Sequence, residues 1–480
     1  MTTNQVPGAS GVRIAGDDYQ WLHVWRCCLE ALHENSTGNT VNPVVAVGVE
    51  EPNVGNGDDI VLHRLSAPNT YVQVKYAVDN RTPLNLSYLD AQGVLRKLVA
   101  THTALTRDET QVEIKLLTNR TPDHEDILIA GRDSRDGRLM PRAGLGGPLS
   151  RKGKARSEWA EIAGTDEAGL LRFFDDFQLE LAYDLERLRK DVSLLMTANG
   201  LRSDAAAVNL GADWISKQVI AGHRRITIEE ISAAVDSMNL IAGSPWTRIS
   251  ISTIKRDQLA SHAAVDLDWV DRIQGDVDWH RIEPAPPATW DDLASDIRKI
   301  PGELHGNKRV LVTGHFRQAT GFYVGAELRR VLGFEVGIRQ GDQLWTGEEP
   351  SDSGVITSNE EQTGAGSDVA IVVNVAADAA KAAAEWIRST VLPIGKIIVV
   401  SPVLGTGPKA VATPRAANSL AIAIRDLARQ NVGTGEVHLF LIGPLGLAVL
   451  LGHHWNRVAR THAYEHLGGS NYVHAFTIDA

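Results

Sequence analysis

The sequence predicts an α/β protein of more than one domain, on three observations. The chain has 480 residues, too many for one ordinary core. Strand-like apolar runs alternate with helical patterns, and in the second half those runs are continuous in Val, Ile and Leu, as in a parallel sheet covered on both faces. Prolines in EPAPPATWDD interrupt the pattern near the middle, where neither a helix nor a central strand continues. The junction is therefore placed at 251–285, between a first domain at 1–250 and a second at 286–480.

In the first domain, DDYQWLHVWRCCLEALHE sets Trp21, Trp25, Cys28, Leu29 and Leu32 at helical spacing, with Asp17 or Asp18 able to cap the helix. NPVVAVGVE reads as a strand. The stretch from Gly57, GDDIVLHRLSAPNTYVQVKYAV, reads as two short strands joined by a turn at SAPN. A helix around Tyr88 to Thr101 and a strand from Gln111 to Leu117 follow, and residues 166–238 turn helical, an accessory region that completes the domain. In the second domain KRVLVTG, FEVGIRQ, DVAIVVNVA, GKIIVVSPV and EVHLFLIGP alternate with helices such as GFYVGAELRRVLG, RAANSLAIAIRDLARQ and LGLAVLLGHHW. Val310 to Gly314 and Leu439 to Gly443, each followed by a helix, look like a duplicated half, although all strand-turn-helix units share that grammar.

Composition narrows the function. The net charge of −11 argues against a constitutive, sequence-independent nucleic-acid coat, which needs Lys and Arg against phosphates. One segment departs from this: residues 132–156 hold eight basic residues and two acids. It reads first as a solvated flexible loop and second as a DNA contact through Arg151, Lys152 and Lys154. No apolar run approaches the roughly 20 residues of a membrane helix and the start lacks signal-peptide order, so a cytoplasmic protein is expected, with no membrane partner. The only cysteines, Cys27 and Cys28, adjoin in a helical pattern and offer no disulfide framework or Cys-based zinc site. No strand leads into G-x-G-x-x-G or G-x-x-x-x-G-K-[ST], which removes support for dehydrogenase and P-loop readings. His453 and His454 are expected at the surface, because neighbouring histidines point apart on a helix and no carboxylate lies at helical spacing.

The hairpin at Gly57 carries the chemistry. Alternation puts Tyr71, Gln73 and Lys75 on one face and points Val72 and Val74 into the core. The turn brings Asp58 or Asp59 beside Gln73 and Lys75, and Glu50 or Glu51 ends the preceding strand. Carboxylate and amide oxygens are the hard ligands Mg²⁺ prefers, and an ammonium beside them can serve an attacking water and the charge of a phosphodiester. An ordinary hairpin with one wet face accounts for the same alternation.

The order GDDYQWLHVW, VEEPNVGNGDDIVL and YVQVKYA resembles the restriction-endonuclease-like domain of bacterial effector nucleases in cyclic-oligonucleotide antiphage defence. That resemblance implies catalytic residues Lys75, Gln73 and Asp59, with Gln20 on the helix signature together with Gly16 and Tyr19. It implies a Mg²⁺ or Mn²⁺ site at Asp59 and Gln73, with Asp58 the alternative acid and Glu50 the preferred further ligand. Gln stands where many related nucleases have Glu, one charge fewer.

In the second half, ligands of a parallel sheet bind at the carboxyl ends of the strands. Arg317 suits a phosphate, Phe316 and Trp345 suit base stacking, and Ser401 with the backbone at Gly443 and Pro444 suits phosphate contacts. The bland alternatives are core packing, a surface ion pair and a required turn. GHFRQATGFYVGAELRRVLGFEV, KIIVVSPV and VHLFLIGPLGLAVLLGHHWNR resemble the SAVED domain, a fused pair of CARF-like Rossmann-like halves that senses cyclic oligonucleotides. Together the two resemblances imply an effector of CBASS type: a double-stranded DNA endonuclease, activated through self-association when it binds a cyclic oligonucleotide, expected to be a cyclic trinucleotide, made by a CD-NTase. Two competing readings are a non-catalytic sensor that grips DNA or a partner protein, and an enzyme that degrades its own cyclic ligand.

Overall fold

The computed structural model describes residues 9–38, 41–52, 54–55, 57, 59–108, 111–133, 135–257 and 259–479. Asp58, the alternative acid, lies outside the described residues. The chain divides into Met1–Pro245 and Trp246–Ala480.

The first unit opens with α1 (Ala9–Thr37), which buries Leu22, Trp25, Cys28 and Leu29 at helical spacing. Strands β1 (Val44–Val49), β2 (Ile60–Arg64) and β3 (Asn69–Lys75) form an antiparallel meander. Helices α2 (Leu86–Ala91) and α3 (Val94–Leu105) follow, parted at Gly93, whose φ of +61° favours glycine. They cross to β4 (Val112–Thr118), parallel to β3. Next come α4 (Ile127–Ala130), α5 (Arg151–Ala163), α6 (Glu167–Asp175) and β5 (Phe177–Glu180), which is parallel to β4. After α7 (Leu185–Ala198) and α8 (Ala205–Ile220), β6 (Arg225–Thr227) pairs antiparallel with β1 and α9 (Ile228–Ser237) follows. The sheet order is β5-β4-β3-β2-β1-β6.

Three expectations are corrected here. The region 166–238 is not merely helical, because it supplies both edge strands, each too short to display alternation. Strand β3 has no wet face: Thr70 through Val74 are all buried, since the strand is central and Tyr71 packs among residues of α2, α3, α5 and α6. The basic segment is not a solvated flexible loop. Its Arg156 guanidinium is buried, donates to the carbonyls of Ala143, Leu145 and Gly146 at 2.9–3.0 Å and pairs with Glu167 at 2.5 Å. Arg138 pairs with Glu113 at 2.7 Å.

The second unit contains two sheets. The first is built from β7 (Thr247–Ser252), β8 (Val265–Asp268), β9 (Arg309–His315), β10 (Glu335–Gln340) and β11 (Gln343–Thr346), in the order β11-β10-β9-β7-β8. Helix α10 (Trp290–Glu303) precedes β9 and α11 (Gln318–Glu327) follows it. The second sheet comprises β12 (Ile356–Gln362), β13 (Asp368–Asn374), β14 (Ile394–Pro402), β15 (Val437–Ile442), β16 (Thr461–Gly468) and β17 (Asn471–Ile478), in the order β12-β14-β13-β15-β16-β17. Its helices are α12 (Ala380–Ser389), α13 (Pro414–Asn431) and α14 (Leu445–His454). Inner strands are parallel and apolar, while β11, β12 and β17 pair antiparallel at three edges.

The segment 251–285 is therefore no linker. The end of β7 and all of β8 fall inside it, and β7 pairs parallel with β9. His453 and His454, expected at the surface, are buried, because α14 is apolar all round and packs between α11 and α13. Each ring finds one partner: Leu328 O lies 2.6 Å from His453 Nδ1 and Asn418 Oδ1 lies 2.6 Å from His454 Nε2. Where α11 and α14 cross, the backbones touch. A Cβ on Gly325 would lie 2.1 Å from the Val449 carbonyl oxygen, and one on Gly452 2.0 Å from that of Phe322.

Candidate functional site

The β2–β3 hairpin places Asp59 at the entry of β2, with Ile60 opposite Val72. Residues paired in register share a face, so Asp59 lies on the face of Gln73. The Asp59 carboxylate Oδ2 accepts a hydrogen bond from Gln73 Nε2 and another from the Val74 backbone N–H at 2.7 Å. Gln73 is 5% exposed, so its amide is desolvated and must be satisfied internally. With its nitrogen turned to Asp59, the amide leaves Oε1 as the atom available to a cation. Two residues on, Lys75 shares that face, stands opposite Thr118 of β4 and is partly exposed at the strand end. The chain just beyond is held by Asn119, whose side chain accepts from Ala77 N at 2.9 Å and donates to Ala77 O at 2.7 Å. Asn119 escaped sequence reasoning because a lone Asn after a strand reads only as a turn.

Other predicted residues are placed elsewhere. Glu50 has φ +45°, and its carboxylate pairs with Arg224 at 2.6 Å rather than with the trio; only its backbone N–H approaches Asp59, at 3.4 Å from the carbonyl oxygen. Glu51 is taken by His63 at 2.8 Å and Arg225 at 3.4 Å. Gln20 lies on α1, which covers the opposite face: Arg26 of the same helix reaches Glu180 at 3.3 Å, and Glu180 stands in register with Leu117, itself opposite Val74. Among the described residues no hydrogen bond joins Gln20 to the trio; its Nε2 is buried without a hydrogen-bond partner, and the ring of its neighbour Tyr19 lies 4.7 Å from that of Tyr76, the residue after Lys75. Tyr19 donates to Tyr183 O at 2.5 Å. The carboxylate of Glu180, which the sequence reading did not single out, is pushed up by burial but held down to about 2 by Arg26 and Lys115.

Arg151, Lys152 and Lys154 form the first turn of α5, capped by Ser150, which accepts from Gly153 N at 3.0 Å. Arg151 and Lys154 are exposed, while Lys152 donates to Arg142 O at 2.8 Å. Cations at a helix N-terminus oppose the macrodipole, so this turn concentrates positive potential where an ordinary helix carries acids.

In the second unit the carboxyl ends of β9 and β15 are joined by a side chain that sequence reasoning missed. Gln318, at the start of α11, donates to Gly443 O at 2.6 Å and accepts from Gly443 N at 3.0 Å. Each of the two crossing helices is also met at its N-terminus by an acceptor from the other half: Glu465 of β16 accepts from Ala319 N at 3.0 Å, and Gln340 of β10 accepts from Gly446 N at 3.1 Å. Glu465 was quoted only within YEH; an isolated Glu on an edge hairpin carries no sign of burial. Burial pushes its carboxyl up to about 7, against the pull of Ala319 N and Arg317.

Two stacking assignments are corrected. Phe316 and Trp345 are 3% and 2% exposed and belong to the hydrophobic core, with Trp345 packed under Gly446, so neither ring offers a face to a base. Arg317 spends its Nε and Nη2 on Arg281 O at 2.9 and 2.8 Å. Ser401 is partly exposed near the end of β14, opposite Thr357. Gly443 and Pro444 form the turn into α14. Among the described residues no helix is long and apolar enough to cross a membrane, and no three His, Cys, Asp or Glu side chains converge on a metal position.

Residues 293–478 match the family model described as SAVED, the SMODS-associated and fused to various effectors sensor domain. The match begins inside α10 and leaves out β7 and β8, although both strands belong to the first sheet of that unit. Among curated proteins, CD-NTase-associated protein 4 of Enterobacter hormaechei subsp. hoffmannii (strain UCI 50) is 23% identical over 337 residues, 66% of this chain and 66% of that protein, just under two thirds of the relative's length. Among solved structures, the Acinetobacter baumannii Cap4 SAVED/CARF-domain containing receptor with the cyclic trinucleotide 3'3'3'-cAAA is 13% identical, covering 99% of this chain and 100% of that one with a TM-score of 0.44. The Moraxella osloensis Cap4 SAVED/CARF-domain containing receptor is 12% identical over 97% and 99%, with a TM-score of 0.42.

Proposed function

We propose that this chain, which carries a SAVED sensor domain at 293–478, is a CBASS effector whose first unit is a metal-dependent double-stranded DNA endonuclease switched on by a cyclic oligonucleotide. The observation that carries the nuclease reading is the convergence of Asp59, Gln73 and Lys75 on one face of the β2–β3 hairpin. The sensor reading rests on the SAVED match, and the proposed ligand is a cyclic oligonucleotide, expected to be a cyclic trinucleotide.

The donors fit a small divalent cation: one carboxylate and one buried amide oxygen, with solvent completing the shell, is a set Mg²⁺ or Mn²⁺ accepts. Such an ion supplies Lewis acidity to phosphodiester hydrolysis. Asp59 is itself oriented by the Val74 N–H, which fixes its carboxylate before any cation arrives. Lys75 places an ammonium at the solvent-reached end of the strand, where it neutralises charge developing on a phosphoryl oxygen and orients a water. The exposed cations of Arg151 and Lys154 would meet the DNA backbone. Ligand-driven self-association of the sensor units is the proposed trigger.

A non-catalytic sensor is the second reading. One observation favours it: among the described residues Asp59 is the one carboxylate hydrogen-bonded to Gln73, while Glu50 is tied to Arg224. Plasmid DNA, Mg²⁺ and a panel of cyclic di- and trinucleotides decide between them. Cleavage with one ligand only, abolished in Lys75→Ala with ligand affinity unchanged, is the expected result. Ligand binding with no cleavage under any condition would leave the sensor reading standing.

A further inference from the structure

The C-terminal hairpin carries a group of side chains that neither the nuclease nor the sensor reading uses. His462 of β16 stands in register with Thr477 of β17, and His474 lies three residues before Thr477. The His462 Nδ1 to His474 Nε2 distance is 3.3 Å, His474 Nε2 to Thr477 Oγ1 is 3.0 Å, and Thr477 Oγ1 to His462 Nδ1 is 3.2 Å. Three donor atoms at these separations form a triangle. Zinc bonded to imidazole nitrogens at about 2.0–2.1 Å in tetrahedral geometry holds its ligand atoms about 3.3 Å apart.

The surroundings prepare that triangle. His462 Nε2 lies 2.6 Å from the Glu436 carboxylate, which only accepts hydrogen bonds. The neutral ring therefore carries its hydrogen on Nε2 and turns the Nδ1 lone pair toward His474. A carboxylate behind a ligating histidine is the usual orienting partner of a metal-bound imidazole. Behind His462, the His438 ring stacks at 5.1 Å between centroids and is fixed by Tyr464 and Asp368. His474 is exposed, which leaves an entry path from solvent.

We propose that His462 Nδ1 and His474 Nε2, with the Thr477 hydroxyl, form a binding site for a late first-row divalent metal ion such as Zn²⁺ or Ni²⁺, with water completing the shell. Each ring ligates in its neutral form, His462 with its hydrogen on Nε2 and His474 with its hydrogen on Nδ1. The ion would staple β16 to β17, the hairpin that carries Glu465 to the start of α11.

The test is calorimetric titration of the full-length, chelator-treated protein with Zn²⁺ at pH 7.5, alongside His474→Ala, Thr477→Val, Glu436→Gln and His280→Ala, each checked for native circular dichroism. The expected result is one tight equivalent that disappears in His474→Ala, weakens in Thr477→Val, weakens roughly tenfold or more in Glu436→Gln and persists in His280→Ala. Cobalt should give visible d–d bands with the wild type and none with His474→Ala. Equal zinc affinity in wild type and His474→Ala, or loss of the tight equivalent in His280→Ala, would overturn the site.

Discussion

Glu465 shows how much one carboxylate can set. The unfolded carboxyl ionises near ~4.3, whereas the buried one holds its proton up to about 7. Between those values the unfolded chain has released a proton that the folded chain keeps, so stability falls as the pH rises through the window and rises as it is lowered. The total is on the order of 3 kcal/mol. Glu465→Gln, which keeps an acceptor for Ala319 N, should therefore raise the melting temperature at pH 8 and leave it nearly unchanged at pH 4.5. Equal melting shifts at both pH values would contradict this. The residues at the hairpin were legible from the sequence because alternation is a local property: Gln73 and Lys75 share a face whatever surrounds them. Partners that come from distant segments were not. Nothing near Glu50 announces Arg224, and nothing near Phe316 or Trp345 distinguishes a stacking platform from a core ring until the covering helices are in place.

At the level of elements, the crossing of α11 and α14 is a close backbone contact in the second unit. Gly325 and Gly452 let one helix backbone rest on the other, and a methyl group at either would strike a carbonyl oxygen that cannot move without its helix. Gly452→Ala should cost about 3 kcal/mol, seen as a lower midpoint in thermal or urea melts. The double variant with Gly325→Ala should cost less than the sum, because both report on one contact. The first turn of α5 gives a prediction of another kind. Replacing Arg151 and Lys154 together by Ala should weaken DNA binding regardless of sequence and lower the slope of log K against log salt by about two. An unchanged slope would remove α5 from the DNA contact. Long helices and apolar parallel strands were readable from period and composition, whereas β5, β6 and β11 are too short to carry a period and owe their conformation to the strand beside them.

For the whole molecule, the division at Pro245 and Trp246 makes ligand recognition and the proposed cleavage separable measurements. A calorimetric scan should show two transitions, only one of which moves upward when a cyclic trinucleotide is added, by an amount that grows with ligand concentration. Upward movement of both would mean that the units unfold together. The linker expected at 251–285 holds the end of β7 and all of β8, since proline-rich sequence marks a loop and says nothing about which sheet the flanking strands join. Pairing across long sequence distances also has a temporal side. The sheet of the first unit is completed by β6, which returns to β1, and the six-stranded sheet of the second unit by β17. During synthesis, which proceeds from the amino end at about 5–20 residues per second, the first unit would emerge well before the sensor unit that, on the proposed function, switches it on. If the first unit is the proposed nuclease, each nascent copy would for many seconds be a nuclease without its switch, and an isolated first unit, residues 1–245, should then be inactive on DNA by itself.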